Sequence, residues 1–166
     1  TMIHAGEATN VVPDDCVIEG TVRTFTLEVL DLIERRMKEV AEHTCAAHGA
    51  QCEFEFNRGY PVTVNHVAET GFVKGVLAEV VGAANVRPFE PTMGSEDFSF
   101  FLQARPGCYF MIGNGDGAHR EGGHGLGPCM LHNPSYDFND DLIPLGATLW
   151  VRLAEAWLAT QRPFAR

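Results

Sequence analysis

The chain has 166 residues, 45% of them hydrophobic, so it can bury a core as one ordinary domain or two small ones and is not a disordered polymer. Twelve basic against 22 acidic residues leave a formal charge of −10, which excludes nucleic acid and anionic membrane surfaces as principal partners, since both need a basic footprint. Cys16, Cys45, Cys52, Cys108 and Cys129 are odd in number, irregularly spaced and free of any CxxC. They read as reduced thiols of a cytoplasmic protein rather than a disulfide framework. No apolar run approaches the ~20 residues that span a bilayer, and residues 1–6 lack the basic-then-apolar pattern of a secretory signal.

Residues 1–6 read as a strand entered midway. Residues 16–25 alternate like a half-buried strand, with Ile18 and Val22 on one side and Glu19, Thr21 and Arg23 on the other. Thr26 is placed to cap a helix with Glu28 in its first turn. Leu27, Leu30, Ile33, Met37, Val40, Ala41 and Thr44 recur at helical spacing, and Gly49 closes the element. Residues 52–57 alternate again, with Phe54 and Phe56 toward the helix. The order β-β-α-β leaves one helix to cover three strands. The order predicts a split β-α-β-β-α-β sandwich, ferredoxin-like, without its first strand and helix.

The pattern changes around residues 61–67, which predicts two parts, 1–62 and 63–166. The second part reads as helix (68–84), extended chain (86–92), helix (95–104) and extended chain (108–113). A glycine-rich segment follows, then a long helix striped by Leu142, Leu145, Leu149, Leu153 and Trp157. The whole is of α/β (α+β) class. Two strands are too few for a complete sheet, so both parts look unfinished.

Several segments could carry chemistry, and each has a plainer reading. Asn10, in Asn10-Val11-Val12-Pro13-Asp14, is a turn former or an amide ligand at the sheet edge. Arg23 is either half of a cross-strand pair with Glu53 or Glu55, or a planar fork for a carboxylate. Ser95, Glu96 and Asp97 suit a helix start, with Ser95 as the cap, and Gly94-Ser95-Glu96 lacks the second glycine of a nucleophile elbow. Residues 113–118 formally fit GxGxxA, but the glycine-rich run behind them cannot form the helix that a dinucleotide needs. His119 and His124 lack the HExxH arrangement and read as solvent-exposed. His132 is set off by Pro128 and Pro134 just ahead of the last helix, as a metal ligand should be, yet one imidazole alone is never a metal site.

Four segments in order resemble the hippurate hydrolase / N-acyl-L-amino-acid amidohydrolase group of di-metal peptidases. They are residues 6–14 (Gly-Glu-Ala-Thr-Asn-Val-Val-Pro-Asp), 20–25 (Gly-Thr-Val-Arg-Thr-Phe), 93–98 (Met-Gly-Ser-Glu-Asp-Phe) and 131–134 (Leu-His-Asn-Pro). The resemblance implies that residues 1–62 are the later part of a lid that usually dimerises, and residues 63–166 the end of the catalytic domain. It makes His132 the last ligand of a two-ion centre of zinc or manganese, with Asn133 and Pro134 orienting it. Asn10 and Arg23 become the groups that hold the substrate carboxylate and close on the bound amide. Ser95 and Glu96 become part of the pocket wall.

On the same resemblance, the general-base glutamate and the other metal ligands belong to an upstream segment. This chain is therefore expected to be inactive alone and to hold no metal stably. The substrate would be an N-acyl amino acid and the assembly a homodimer. The alternative is a non-enzymatic ferredoxin-like module for dimerisation or ligand sensing. A free-standing thiol or serine hydrolase lacks any nucleophile–base pairing.

Overall fold

The computed structural model describes residues 1–115, 131–132 and 136–161. The chain divides into two compact units, Thr1–Val64 with Glu90–Phe100, and Asn65–Phe89 with Phe101–Arg166.

In the first unit, β1 (Met2–His4) and β2 (Val17–Glu19) pair antiparallel, with Met2 opposite Glu19, Ile3 opposite Ile18 and His4 opposite Val17. That register sets Ile3 and Ile18 on one face, where they are 65% and 68% exposed, so this apolar face is uncovered within the described chain. Helix α1 (Leu27–Ala47) starts where the sequence predicts: the Thr26 side chain accepts a hydrogen bond from the Val29 amide at 3.2 Å, and Glu28 lies in the first turn. It ends at His48, followed by Gly49 at φ +70, a left-handed position that glycine enters without strain. None of its residues is fully buried.

Cys52, Phe54 and Phe56 are half-buried while Gln51, Glu53 and Glu55 are exposed. The two rings stack 6.3 Å apart and line a cleft with Asp31, Glu34, Arg35 and Lys38 of α1. Thus the expected period of two is present, yet residues 52–57 join no ladder. Packing against the helix sets which side chains are covered, whereas a strand also needs a neighbouring edge for its amides and carbonyls.

The second unit is built on α2 (Val67–Val81) and α4 (Leu142–Thr160), which pack together. Val76 of α2 and Leu149 and Leu153 of α4 are buried, the latter two on the predicted stripe. Phe72 meets Trp157 edge-on at 5.4 Å, and Arg152 reaches Glu79 at 3.5 Å. By length and composition α4 could also cross a membrane; Leu149 and Leu153 face the core, while Ile143, Trp150, Val151 and Leu158 are exposed.

The helix expected over 68–84 breaks at Gly82 (φ +82) into a short 3₁₀ turn, Ala83–Asn85. Residues 86–92 and 108–113 form no ladder among the described residues. In place of one, the Asn65 carboxamide spans the backbone of Tyr109, accepting from its amide and donating to its carbonyl, both at 2.7 Å. His66 continues the seam: its amide donates to the Gly107 carbonyl and its Nδ1 accepts from the Gly107 amide. Helix α3 (Phe98–Ala104) is shorter than predicted and runs across the boundary between the units.

Candidate metal and substrate site

Asn10, Arg23, Ser95 and Glu96 lie in the first unit, and His132 in the second. Within the first unit, Asn10 sits in an exposed turn of the connection between β1 and β2, beyond the His4–Val17 end of the ribbon. Arg23 follows β2 beyond its other end, past Glu19. The two ends of the ribbon thus lead into the separate segments that carry the two groups.

Arg23 is exposed and makes no ion pair among the described residues. The contrast with its neighbours is informative, because the first unit has five cations. Arg35 and Arg36 both bind Glu39, whose carboxyl they hold below the usual range, Arg35 first. Lys38 approaches Glu42 at 3.8 Å. Arg58 is clamped by Glu34 and Asp31, which raise its already high pKa further. Glu55, one partner proposed for Arg23 from the sequence, instead accepts from the Asn57 amide at 2.7 Å. Arg23 is thus the cation of this unit whose fork is open to a ligand, and an unpaired guanidinium suits a carboxylate held bidentately.

Ser95 does not cap α3, which begins three residues later. The Glu96 side chain does that work, its Oε1 accepting from the Phe98 amide at 3.2 Å, while its carbonyl accepts from the fully buried Ser99 hydroxyl at 2.6 Å. One carboxylate oxygen of Glu96 is therefore committed to its own helix. Ser95 itself is exposed.

His132 is exposed, and its backbone lies at φ +71. Among the described residues it is the one non-glycine position with positive φ. Histidine tolerates the left-handed region better than most residues, but the conformation still costs on the order of 1 kcal/mol. Its imidazole makes no hydrogen bond among the described residues, so it is available as a donor. It suits zinc, manganese or cobalt as one ligand. It does not complete a site: no group of three or more potential ligands occurs among the described residues. Asn133, Pro134, His119, His124 and residues 116–118 of the 113–118 motif lie outside those residues.

The sequence reading missed Asn139. Its amide donates to Asn114 Oδ1 at 3.0 Å, and its Nδ2 to the Asn114 carbonyl at 3.3 Å, tying together positions 25 apart in the chain. No local periodicity marks such a pair; its only trace is an Asn in a polar stretch directly before a helix.

The model of peptidase family M20/M25/M40 matches residues 2–156. Thermostable carboxypeptidase 2 of Saccharolobus solfataricus is 35% identical over 162 residues, covering 96% of this chain and 37% of that protein. The putative amidohydrolase YhaA of Bacillus subtilis is 35% identical over 132 residues, 79% of this chain and 32% of its own length. The IAA-amino acid hydrolase ILR1-like 4 of Arabidopsis thaliana is 31% identical over 159 residues, 93% of this chain and 35% of that one. Among solved structures, the YXEP protein of Bacillus subtilis, described as a dinuclear metal binding peptidase from the M20 family, matches with a TM-score of 0.74 at 27% identity, over 96% of this chain and 41% of its own. The chain thus spans between about a third and two fifths of the length of these relatives.

Proposed function

Since this chain belongs to peptidase family M20/M25/M40, we propose that it supplies the substrate-gripping residues and one metal ligand of a two-metal amidohydrolase that cleaves N-acyl amino acids of the hippurate kind. The observation that carries this reading is Arg23, whose guanidinium is left open in a unit where the other four cations are paired. A free amino-acid carboxylate on the substrate is the natural occupant of such a fork. The names of the relatives agree in reaction class, being a carboxypeptidase, an amidohydrolase and an amino-acid conjugate hydrolase.

In this reading Arg23 binds the substrate carboxylate, and Asn10, from the other end of the ribbon, binds the amide. Ser95 and Glu96 line the pocket. His132 contributes an imidazole to one of two divalent ions, zinc or manganese. When bound, such ions would lower the pKa of a coordinated water and polarise the carbonyl. The proton-shuttling glutamate and the remaining ligands come from the part of the relatives' length that this chain does not span. Residues 1–62 act as the later half of a ferredoxin-like lid, through which the enzyme forms a cytoplasmic homodimer, and residues 63–166 as the end of the catalytic domain.

The test is hippurate hydrolysis with added manganese or zinc, run on the 166-residue chain and on the enzyme extended upstream to the length of its relatives. Benzoate and glycine should appear only with the longer protein. Turnover by the 166-residue chain itself would show that the general base lies within it and overturn the division of labour proposed here.

A further inference from the structure

The stretch that carries His132 leaves one fixed point and returns to another, and the two are joined by side chains rather than by a ladder. Asn114 Nδ2 donates to the Asp137 carbonyl at 3.0 Å, and Asn114 Oδ1 accepts from the Asn139 amide at 3.0 Å. Asn139 Nδ2 donates to the Asn114 carbonyl at 3.3 Å, and Asn139 Oδ1 accepts from the Asp141 amide at 3.1 Å. Both residues are half-buried. All four carboxamide atoms are engaged, each donor on an acceptor, so the network itself fixes which way each amide faces. Aspartate at either position would set a carboxylate oxygen against a carbonyl, and an aliphatic residue would leave partly buried backbone groups unpaired.

Each side of this clasp is anchored. Asn139 leads directly into α4: its carbonyl accepts from the Leu142 amide at 3.0 Å. On the other side, the chain before Asn114 is held by Asn65 at Tyr109 and by the Phe110 ring against Trp150, 5.9 Å between centroids. Between the clasp and His132, Tyr136 and Phe138 pack edge-to-face at 4.9 Å. A ligand on a left-handed turn has no secondary structure of its own to hold it, so its position depends on such outside support.

We propose that Asn114 and Asn139 are positioning residues for His132, an interlocked amide pair that sets where its imidazole is presented. The inference rests on the reading of His132 as a metal ligand, and the experiment separates the two. In the enzyme extended to family length, the native metal is replaced by cobalt(II), and its dissociation constant and absorption spectrum are measured for Asn114→Asp, Asn139→Ala and His132→Ala beside wild type. Loss of a group that orients a ligand typically weakens metal binding about 10–100-fold. The two clasp variants should fall in that range with a shifted cobalt spectrum, while unfolding stays cooperative at a midpoint lowered by the lost hydrogen bonds.

If they bind cobalt like wild type while His132→Ala does not, the clasp has no positioning role and the ligand reading stands. If His132→Ala itself binds like wild type, both readings fall. Should a clasp variant not fold, hydrogen exchange in the unaltered 166-residue chain still decides. The Asn139 amide must be protected, and exchange at the open-chain rate overturns the inference.

Discussion

Replacing His132 by glycine separates what the fold wants at this position from what the proposed chemistry wants. The residue sits at φ +71, exposed, with its imidazole unbonded among the described residues. Holding a non-glycine residue in the left-handed region costs about 1–2 kcal/mol. Glycine removes that cost but adds freedom to the unfolded chain worth roughly 0.5–1 kcal/mol. The net expectation for His132→Gly is stability equal to wild type or better by up to about 1 kcal/mol, a rise of some 2–4 °C for a chain of this size. His132→Ala keeps the strained backbone and gives up histidine's better tolerance of it, so the order of stability should be Gly, His, Ala. Thermal or urea unfolding of the metal-free protein measures this directly.

Metal binding in the extended enzyme should run the other way, both variants losing the same imidazole. Stability rising while affinity falls is the signature of a strained residue kept for function. A glycine variant less stable than wild type by more than about 1 kcal/mol would refute the reasoning, because the histidine would then be serving the fold.

Three further outcomes follow from particular contacts. Arg23→Ala should raise KM for N-acyl amino acids about 10–100-fold, the worth of roughly 1.5–3 kcal/mol for hydrogen bonds to a charged group. Lysine should restore only part, and an amide analogue lacking the carboxylate should be indifferent; equal losses on both substrates would remove Arg23 from carboxylate recognition. Leu149→Ala, at a position only 3% exposed between α4 and α2, should cost about 2–5 kcal/mol in urea unfolding, and a loss below 1 kcal/mol would mean that the two helices do not form the core of their unit. Burial, followed by the neighbouring Cys45 thiol, pushes the Cys52 thiol upward in pKa, so its reactive thiolate is scarcer at pH 8. Iodoacetamide, followed by peptide mass mapping, should label Cys52 more slowly than the exposed Cys16, with the gap narrowing above the pH at which ordinary thiols ionise. Equal rates at pH 8 would contradict the packing of Cys52 against α1.

Elements set by local chemistry were legible in the sequence. The Thr26 cap and the Gly49 stop each involve residues within a few positions of one another, and the structure has both, whereas of the α1 stripe Leu30, Ile33 and Ala41 are half-buried and Leu27, Met37, Val40 and Thr44 are exposed. The stripe of α4 was readable at its centre, where Leu149 and Leu153 are buried in the helix that packs on α2. Strands were not, since alternation reports which side chains are covered and cannot supply a pairing edge. Residues 52–57 show the difference, with their period intact and no ladder beside them. The cap of α3 was assigned to Ser95 where the structure has Glu96, because both residue types suit a helix start and only the geometry says which reaches the Phe98 amide.

The candidate site divides along the same line. Arg23 was visible as a cation on a strand face, but whether it was spent on Glu53 or Glu55 could not be read from spacing. That question turned on where the other four cations found partners: Glu34, Asp31, Glu39 and Glu42 absorb them on α1, and Glu55 turns to Asn57. His132 was visible through its flanking prolines, while its left-handed backbone and the Asn114–Asn139 amides were not, since nothing in a sequence window links positions 25 apart. In each case the residue of interest breaks a local rule: a cation without a partner among the described residues, a residue at positive φ, two asparagines whose carboxamides each bond the other's backbone in place of a ladder. Chains tolerate such departures where something outside the local segment depends on them. Arg23, His132 and the Asn114–Asn139 pair are therefore the positions at which substitution should change binding more than it changes folding.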